Sequence, residues 1–444
     1  MPPTDRAELT ASQAAIGNDD FALRRVPQHA RHHWFAIAAQ RFGQVSALSQ
    51  FMLGATLGMG MTFWHAVGAI TLGAVILEIV AILVGVIGVR EGLSTSVLAR
   101  WTGFGGYGAA LIGLTIAISL VGWFGVQNAV FAEGLHELLG GLPLWAWTVV
   151  AGAFVTAIVV YGIGGMRWIA FVTVPLFLAL AGWSIVSELS RHSLGALISS
   201  PAPGPPLSLT AAATLVAGSF IAGAVITPDM TRYNRGVADV VKQTVIGITL
   251  GEYVIGLIGV LLAHATGTGN VVSIVTSTSG PVGTVVLIAA TLKINDWNLY
   301  SSSLGLVNVI HTLTGRRAGR VLVTIGLGAA GTLLAAIGIL DRFTDFLTLL
   351  GVAIPPIAGI MVAEYFVIRR WRPDLDAAGD TVPSRAPGWV PATMVVWLGA
   401  FLVGEYVAWG VPALNSLIVA FVGYVVAGRL GLTRGAGVAL ERSN

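Results

Sequence analysis

The sequence predicts an all-α polytopic membrane protein with twelve transmembrane helices, and three observations predict it. Hydrophobic residues make up 55% of the 444, charged residues only 10%, and the mean hydropathy is +0.83. A soluble domain carries roughly a quarter charged residues. Apolar runs of about 20 residues, each enough to cross a bilayer core as a helix, recur along the chain. None alternates apolar with polar as barrel strands do. The arginines and lysines supply the third observation: with both termini in the cytoplasm, 20 of the 24 fall on the cytoplasmic side, the skew that sets topology in membrane proteins. That skew accounts for the basic balance without a nucleic-acid partner. Cysteine is absent, which excludes disulfides, thiolate catalysis and cysteine-ligated metals. The first 30 residues are polar, with no apolar signal-peptide core.

The predicted spans are 34–60, 64–88, 104–136, 143–163, 167–187, 208–231, 239–265, 281–312, 320–339, 342–367, 389–408 and 411–429. Span one carries Gln40, Arg41 and Gln44 in its first half, then the stretch SALSQFMLGATLGMG (46–60), which holds Ser46, Ser49 and Gln50 among glycines. Span six contains AGSFIAGAVITPDMTRYNR (217–235), with Gly218, Ser219, Gly223 and Pro228. Lipid penalises unpaired backbone, so such stretches mark either a packing kink or a functional interruption. Their occurrence five spans apart points to a transporter site between two halves of the chain. The predicted interruption of span six is placed at Ser219 and Phe220.

Span three reads ISLVGWFGVQNAVF (118–131). Ser119, Trp123 and Gln127 are four apart and share one helix face. Tryptophan in a membrane helix is commonly an interfacial anchor. Its mid-span position between Gly122 and Gly125 favours instead an indole that stacks on a flat solute, with the Gln127 amide reading the solute's edge. Phe220 offers a second ring for that solute. In span eight, Asn295, Asn298 and Ser302 fall on one face, where they either tie helices together or bind a ligand with donors and acceptors. Span eight also holds Lys293, one of two lysines in the chain, with Asp296 one turn on. Glu78 in span two and Glu252 in span seven are further ionisable groups deep in apolar sequence. His65, His264 and His311 lie at span ends without ligand-like spacing, so no metal site is expected. The loop 368–388 is the longest polar connector. A membrane enzyme would show converging carboxylates or a nucleophile with its base, and a channel would show a charged ring or carbonyl filter; the sequence shows neither.

VGWFGV (121–126), the glycine-rich residues 218–229, NDWNLYSSSLGL (295–306) and LLGVAIPPIAGIMVAEYF (349–366), with TLGMG (56–60) and REGLSTSVLAR (90–100), resemble the cytosine permease branch of the nucleobase–cation symporters. The resemblance implies the leucine-transporter-like fold: a five-plus-five inverted repeat with helices eleven and twelve outside it. The implied organisation is a cytoplasmic tail (1–33), a first five-helix repeat (34–187), an inverted second repeat (208–367), a cytoplasmic loop (368–388), helices eleven and twelve (389–429) and a cytoplasmic tail (430–444).

The implied function is secondary transport, by alternating access across the inner membrane, of a planar nitrogen heterocycle such as cytosine, a purine, a hydroxymethylpyrimidine, hydantoin or allantoin. The family's stacking tryptophan falls on Trp123, its helix-six aromatic on Phe220 beside Ser219, and its helix-eight asparagines on Asn295 and Asn298; Gln127 matches hydantoin-type relatives. Gln50 joins this substrate-binding set. Cytosine-type relatives carry a glutamine where this chain has Leu120, which argues against cytosine itself.

Sodium-coupled relatives hold the ion with carbonyls at the helix-one break and two helix-eight hydroxyls. Those hydroxyl positions are Lys293 and Ile294 here. An ammonium has three donors and no acceptor, so Lys293 is expected to replace the sodium ion, facing the carbonyls near Ser46, Ala47 and Ser49. Transport is then proton-coupled or sodium-independent, with a sodium-coupled cytosine symporter as the alternative. The rival for Lys293 is a static ion pair with Asp296 or Asp229; Asp229 is placed with the ion-coupling set. No cofactor is expected, the partners are the substrate and the bilayer, and the chain is expected to act as a monomer.

Overall fold

The structure is a computed structural model that describes residues 21, 24–161, 166–316 and 318–440. Most of the predicted N-terminal tail and the last residues of the C-terminal tail lie outside them. The predicted first span is two helices, α1 (Trp34–Val45) and α2 (Leu48–Gly60). Then follow α3 (Phe63–Glu91), α4 (Gly105–Leu139), α5 (Leu144–Tyr161) and α6 (Met166–Leu189). The predicted sixth span is α7 (Leu209–Val225) and the short α8 (Pro228–Thr231). Next come α9 (Val237–Thr266), α10 (Val271–Thr314), α11 (Arg320–Ala336), α12 (Phe343–Ala353) and α13 (Pro355–Val362). The chain closes with α14 (Pro391–Tyr406) and α15 (Pro412–Arg429). Among the described residues seven helices are long and apolar enough to cross a membrane, and four shorter apolar helices accompany them.

Three elements depart from the sequence reading. α10 is two helices that meet at Gly280: the second begins at Pro281, as predicted, and the sequence reading lacks the first, which starts at Val271 with the Asn270 side chain capping it by accepting from the Ser273 N–H (2.9 Å). Gly280, at φ 60°, then lets the chain turn before Pro281. Span six stays helical through Ser219 and Phe220 and is interrupted only at Ile226 and Thr227. The polar loop 368–388 contains a short helix (Arg372–Ala377) and a strand, β1 (Arg385–Trp389), which pairs antiparallel with β2 (Ala436–Leu440) from the C-terminal tail. The fold is all-α apart from this hairpin-like clasp.

Glycines set the helix spacing, as lipid-embedded packing requires. A methyl group at Gly54 on α2 would sit 2.1 Å from the Gly256 carbonyl oxygen of α9, and one at Gly259 would sit 2.5 Å from the Phe51 carbonyl oxygen. α7 lies equally close to α12: a methyl at Gly218 would be 1.9 Å from the Leu347 carbonyl oxygen. α5 and α11 share one device. Gly152 receives Thr332, and Gly328 receives Thr156, with added methyls placed 2.0 and 2.2 Å from the hydroxyls. Each threonine donates to the carbonyl of the glycine on its own helix, at 2.7 Å. The same Gly-x-x-x-Thr motif thus meets itself in antiparallel register. The longest helices, α4 and α10, pack most extensively against each other and form the wall that carries Trp123 and Asn298.

Candidate functional site

The α4 face carrying Ser119, Trp123 and Gln127 turns into the bundle; all three are buried. The Trp123 ring stands edge-on to Phe346 and Phe343 of α12, at centroid distances of 5.3 and 6.1 Å. It is therefore not a lipid-facing anchor. Gly122 makes room for this packing, since a methyl there would lie 2.4 Å from the Phe346 ring. Both polar atoms of the Gln127 amide, and the Ser119 hydroxyl, are buried with no partner in the protein. Buried amides are almost always hydrogen-bonded, so an unpaired one beside a buried indole is a candidate ligand contact.

The two asparagines of α10 divide. Asn295 is engaged by α4: its amide donates to the Phe124 carbonyl (3.3 Å) and its oxygen accepts from the Asn128 N–H (3.1 Å). With the amide oriented so that both its atoms are satisfied, these contacts suit the helix tie. Asn298 is buried and makes no side-chain hydrogen bond among the described residues, which leaves its amide available. Ser302 donates to the Leu299 carbonyl (3.0 Å) of its own helix.

On the opposite wall, Gln50 of α2 donates to the Glu252 carboxylate of α9, and its amide oxygen accepts from Ser219 of α7 (3.5 Å). Ser219 also donates to the Val216 carbonyl (2.7 Å). The Phe220 ring lies under the Arg41 guanidinium of α1, 5.6 Å from its centroid, and makes no ring contact with Trp123 among the described residues. Arg41 is 1% exposed and donates to the Gly223 carbonyl (3.1 Å) and the Thr227 hydroxyl (2.9 Å). The sequence revealed Arg41 only as a polar residue in an apolar span; its function as a bridge from α1 to the α7–α8 bend needed the fold.

Between α1 and α2 the backbone leaves the helix for two residues: Ser46 has ψ 61° and Ala47 is extended at φ −118°, ψ 167°. A cavity of about 20 Å³ opens at this break, lined by Gly43, Ser46, Ala47, Phe177, Lys293 and Ile294 among others. The Ser46 hydroxyl is buried without a partner. Ser49 is half-buried and is not part of this lining. Lys293 forms no ion pair among the described residues, although Asp296 is one turn away with a buried, unpartnered carboxylate oxygen. The static pair does not form.

Asp229 lies apart from this group. Its carboxylate accepts from the Thr95 N–H (2.7 Å) and so caps the short helix Thr95–Leu98 in the loop after α3. It is not among the residues that line the cavity at the α1–α2 break. Among the described residues no cluster of three histidines, aspartates or glutamates is arranged to hold a metal.

A discontinuous helix, a buried unpaired amide on α4 and a cavity where both ends of the broken helix meet a neighbouring helix suit a secondary transporter of the membrane-helix-bundle class. Two solved structures share the fold. The inward-facing conformation of Mhp1 superposes with a TM-score of 0.78 at 22% identity, over 92% of this chain and 93% of that one. The closed conformation of Mhp1, a nucleobase-cation-symport-1 family transporter, with bromovinylhydantoin bound, gives 0.72 at 23% identity, over 92% and 95%. The fold is thus of the leucine-transporter-like class. A family model described as a permease for cytosine/purines, uracil, thiamine and allantoin matches residues 25–404, and the chain belongs to that family. It is 30% identical to the cytosine permease of Escherichia coli (strain K12) over 356 residues, 80% of this chain and 82% of that one. The protein is a multi-pass membrane permease, not an enzyme.

Proposed function

We propose that the protein moves a planar nitrogen heterocycle across the inner membrane without sodium, the Lys293 ammonium standing where a coupling cation would bind, and that a proton is the coupling ion. The observation that carries this reading is the cavity at the α1–α2 break, which Lys293 and Ile294 line opposite Ser46 and Ala47. Ile294 has no oxygen to offer an ion, and a lysine so placed brings its own positive charge to the carbonyl ends of the interrupted helix.

Relatives named for cytosine transport, and a fold neighbour holding bromovinylhydantoin, support a flat ring with donors and acceptors as cargo. Trp123 stacks on that ring, and base–aromatic stacking is worth about 1–3 kcal/mol. Gln127 and Asn298 hydrogen-bond its edge, with Gln50 and Ser219 on the far wall and Phe220 below. Asn295 holds α4 in register. Residues 34–187 and 208–367 act as the inverted repeats, a reading that the reciprocal Gly-x-x-x-Thr contact of α5 and α11 supports, while residues 389–429 lie outside them. Both termini are cytoplasmic, by the charge skew, and one chain suffices.

The test is counterflow of radiolabelled cytosine, uracil, hydantoin and allantoin in proteoliposomes with sodium replaced by choline. Saturable exchange of one of them at undiminished rate is expected. A strict sodium requirement would overturn the Lys293 assignment.

A further inference from the structure

Glu252 is 0% exposed in the middle of α9. One carboxylate oxygen accepts from the Gln50 amide; the other has no partner. No cation answers it among the described residues. Arg41 of α1 packs its side-chain stem on Gly247 of α9, but its guanidinium is directed to Gly223 and Thr227. Glu78 of α3 accepts from Thr249 one turn before Glu252 (2.5 Å). Glu188 of α6 is occupied by Arg191 and His192. Lys293 of α10 lines the cavity on the other side of the helix-one break.

An ionised carboxylate without a counter-charge inside a membrane bundle is costly to keep. A proton is the smallest group that removes the cost. Gln50 is the only side-chain donor to Glu252 among the described residues, and its other end is bonded to Ser219 of the substrate wall. Three helices, α9, α2 and α7, are therefore joined through one amide.

We infer that Glu252 carries the coupling proton, and that Gln50 links its protonation to occupancy of the substrate pocket. A solute that draws the Gln50 amide towards the pocket leaves the Glu252 carboxylate with no donor, and a proton from the open side binds in its place. Return of Gln50 after release expels the proton on the other side. One proton moves with one substrate, and by linkage each favours binding of the other. The inference rests on sodium-free transport as proposed above, and assigns the proton to Glu252 while Lys293 remains a fixed charge.

Dicyclohexylcarbodiimide reacts with protonated carboxyl groups buried in membrane helices, so it reports on Glu252 in the full-length wild-type protein whatever the variants do. Mass spectrometry of treated proteoliposomes is expected to find the adduct on Glu252 at acidic pH and to lose it at alkaline pH. No adduct on Glu252 at any pH overturns the inference. An inward proton gradient of one pH unit supports about tenfold accumulation at one proton per substrate. Wild type is expected to accumulate uracil, cytosine, hydantoin or allantoin to that extent. Glu252→Gln is expected to lose the accumulation while losing far less of its counterflow. Gradient-driven accumulation that persists in Glu252→Gln, or that is missing in wild type while sodium-free counterflow is present, overturns the Glu252 assignment and leaves the Lys293 reading standing. A sodium requirement with the adduct still present does the reverse.

Discussion

The two interrupted helices differ in how their loose ends are tied. At the α7–α8 bend the backbone barely leaves the helix: Ile226 sits at φ −84°, ψ 13° and Thr227 at φ −51°, ψ −34°. The Thr227 N–H has shifted to the Ala224 carbonyl (3.3 Å), which releases the Gly223 carbonyl, and Arg41 takes it. The α1–α2 break is a true gap of two residues with an unpartnered serine hydroxyl and a cavity beside a lysine. One interruption is closed by two hydrogen bonds from a cation on α1. The other has a lysine that lines the cavity and makes no ion pair among the described residues. A freed carbonyl inside a membrane costs several kcal/mol unless a donor reaches it, and on the proposed function the sealed bend is the fixed hinge and the open break the working site.

The largest test of that contrast removes the cation at the open break. Without the ammonium the carbonyl ends at the open break lose the positive charge that faces them, so Lys293→Ala should lower uptake by about 100-fold or more, about 2.7 kcal/mol. Stability should move the other way or stay level, because a mid-helix lysine costs about 2.5–3.5 kcal/mol to bury. Thermal unfolding of the purified variant beside its uptake rate checks both signs. The pair Lys293→Thr with Ile294→Ser offers two hydroxyls in place of the ammonium and should give uptake that requires sodium. A variant that transports as well as wild type without sodium would remove the distinction between the two breaks.

At the sealed bend the expected effect is on stability. Hydrogen bonds from a charged donor are worth about 1.5–3 kcal/mol each, so Arg41→Ala, which removes two of them and leaves the Gly223 carbonyl only the Thr227 hydroxyl (3.4 Å), should cost about 3 kcal/mol or more. Thr227→Val, which removes the acceptor for Arg41 and a long donor contact to the Gly223 carbonyl, should cost about 1–2 kcal/mol. Both are read by denaturation in detergent. Packing around the breaks provides the next rung. Gly54→Ala forces a methyl to within 2.1 Å of the Gly256 carbonyl oxygen, and overpacking of that kind costs about 1–3 kcal/mol. Gly43→Ala, where a methyl meets nothing within 4 Å, should change stability by less than about 0.5 kcal/mol.

Much of this contrast was legible in sequence because its signals are local. Spacing of four put Ser119, Trp123 and Gln127 on one buried face, and the polar run from Ser46 marked the break in span one. Lys293 announced itself as a charge in an apolar helix. What stayed hidden depends on partners far apart in the chain. Arg41 meets Thr227 across 186 residues, and Gln50 meets Glu252 across 202; neither pairing leaves a trace in its own span. The bend in span six was misplaced because Gly218 and Gly223 read as helix breakers, whereas Gly218 is there to let α12 approach and Gly223 to admit the Phe220 ring. Asn295 was legible as a buried amide, but not as one already engaged by α4. The β1–β2 clasp joins two polar tails whose pairing nothing local encodes.

The smallest expected effect concerns Asp229, which the sequence placed with the ion site and the structure places at the start of the helix Thr95–Leu98. A carboxylate that caps a helix and a carboxylate that binds an ion predict different losses. Removing a cap costs about 0.5–2 kcal/mol of stability and leaves the cation cavity as it was, since Asp229 does not line it. Asp229→Ala should therefore lower the unfolding free energy by about 1 kcal/mol and leave the ion dependence of uptake the same as wild type. Asp229→Asn, which keeps an oxygen to accept from the Thr95 N–H, should recover most of the lost stability. If Asp229→Asn instead altered the proton or sodium dependence of uptake, the bend in span six would be part of the coupling site after all. The separation between a fixed hinge and an open working site would then fail at its most exposed point.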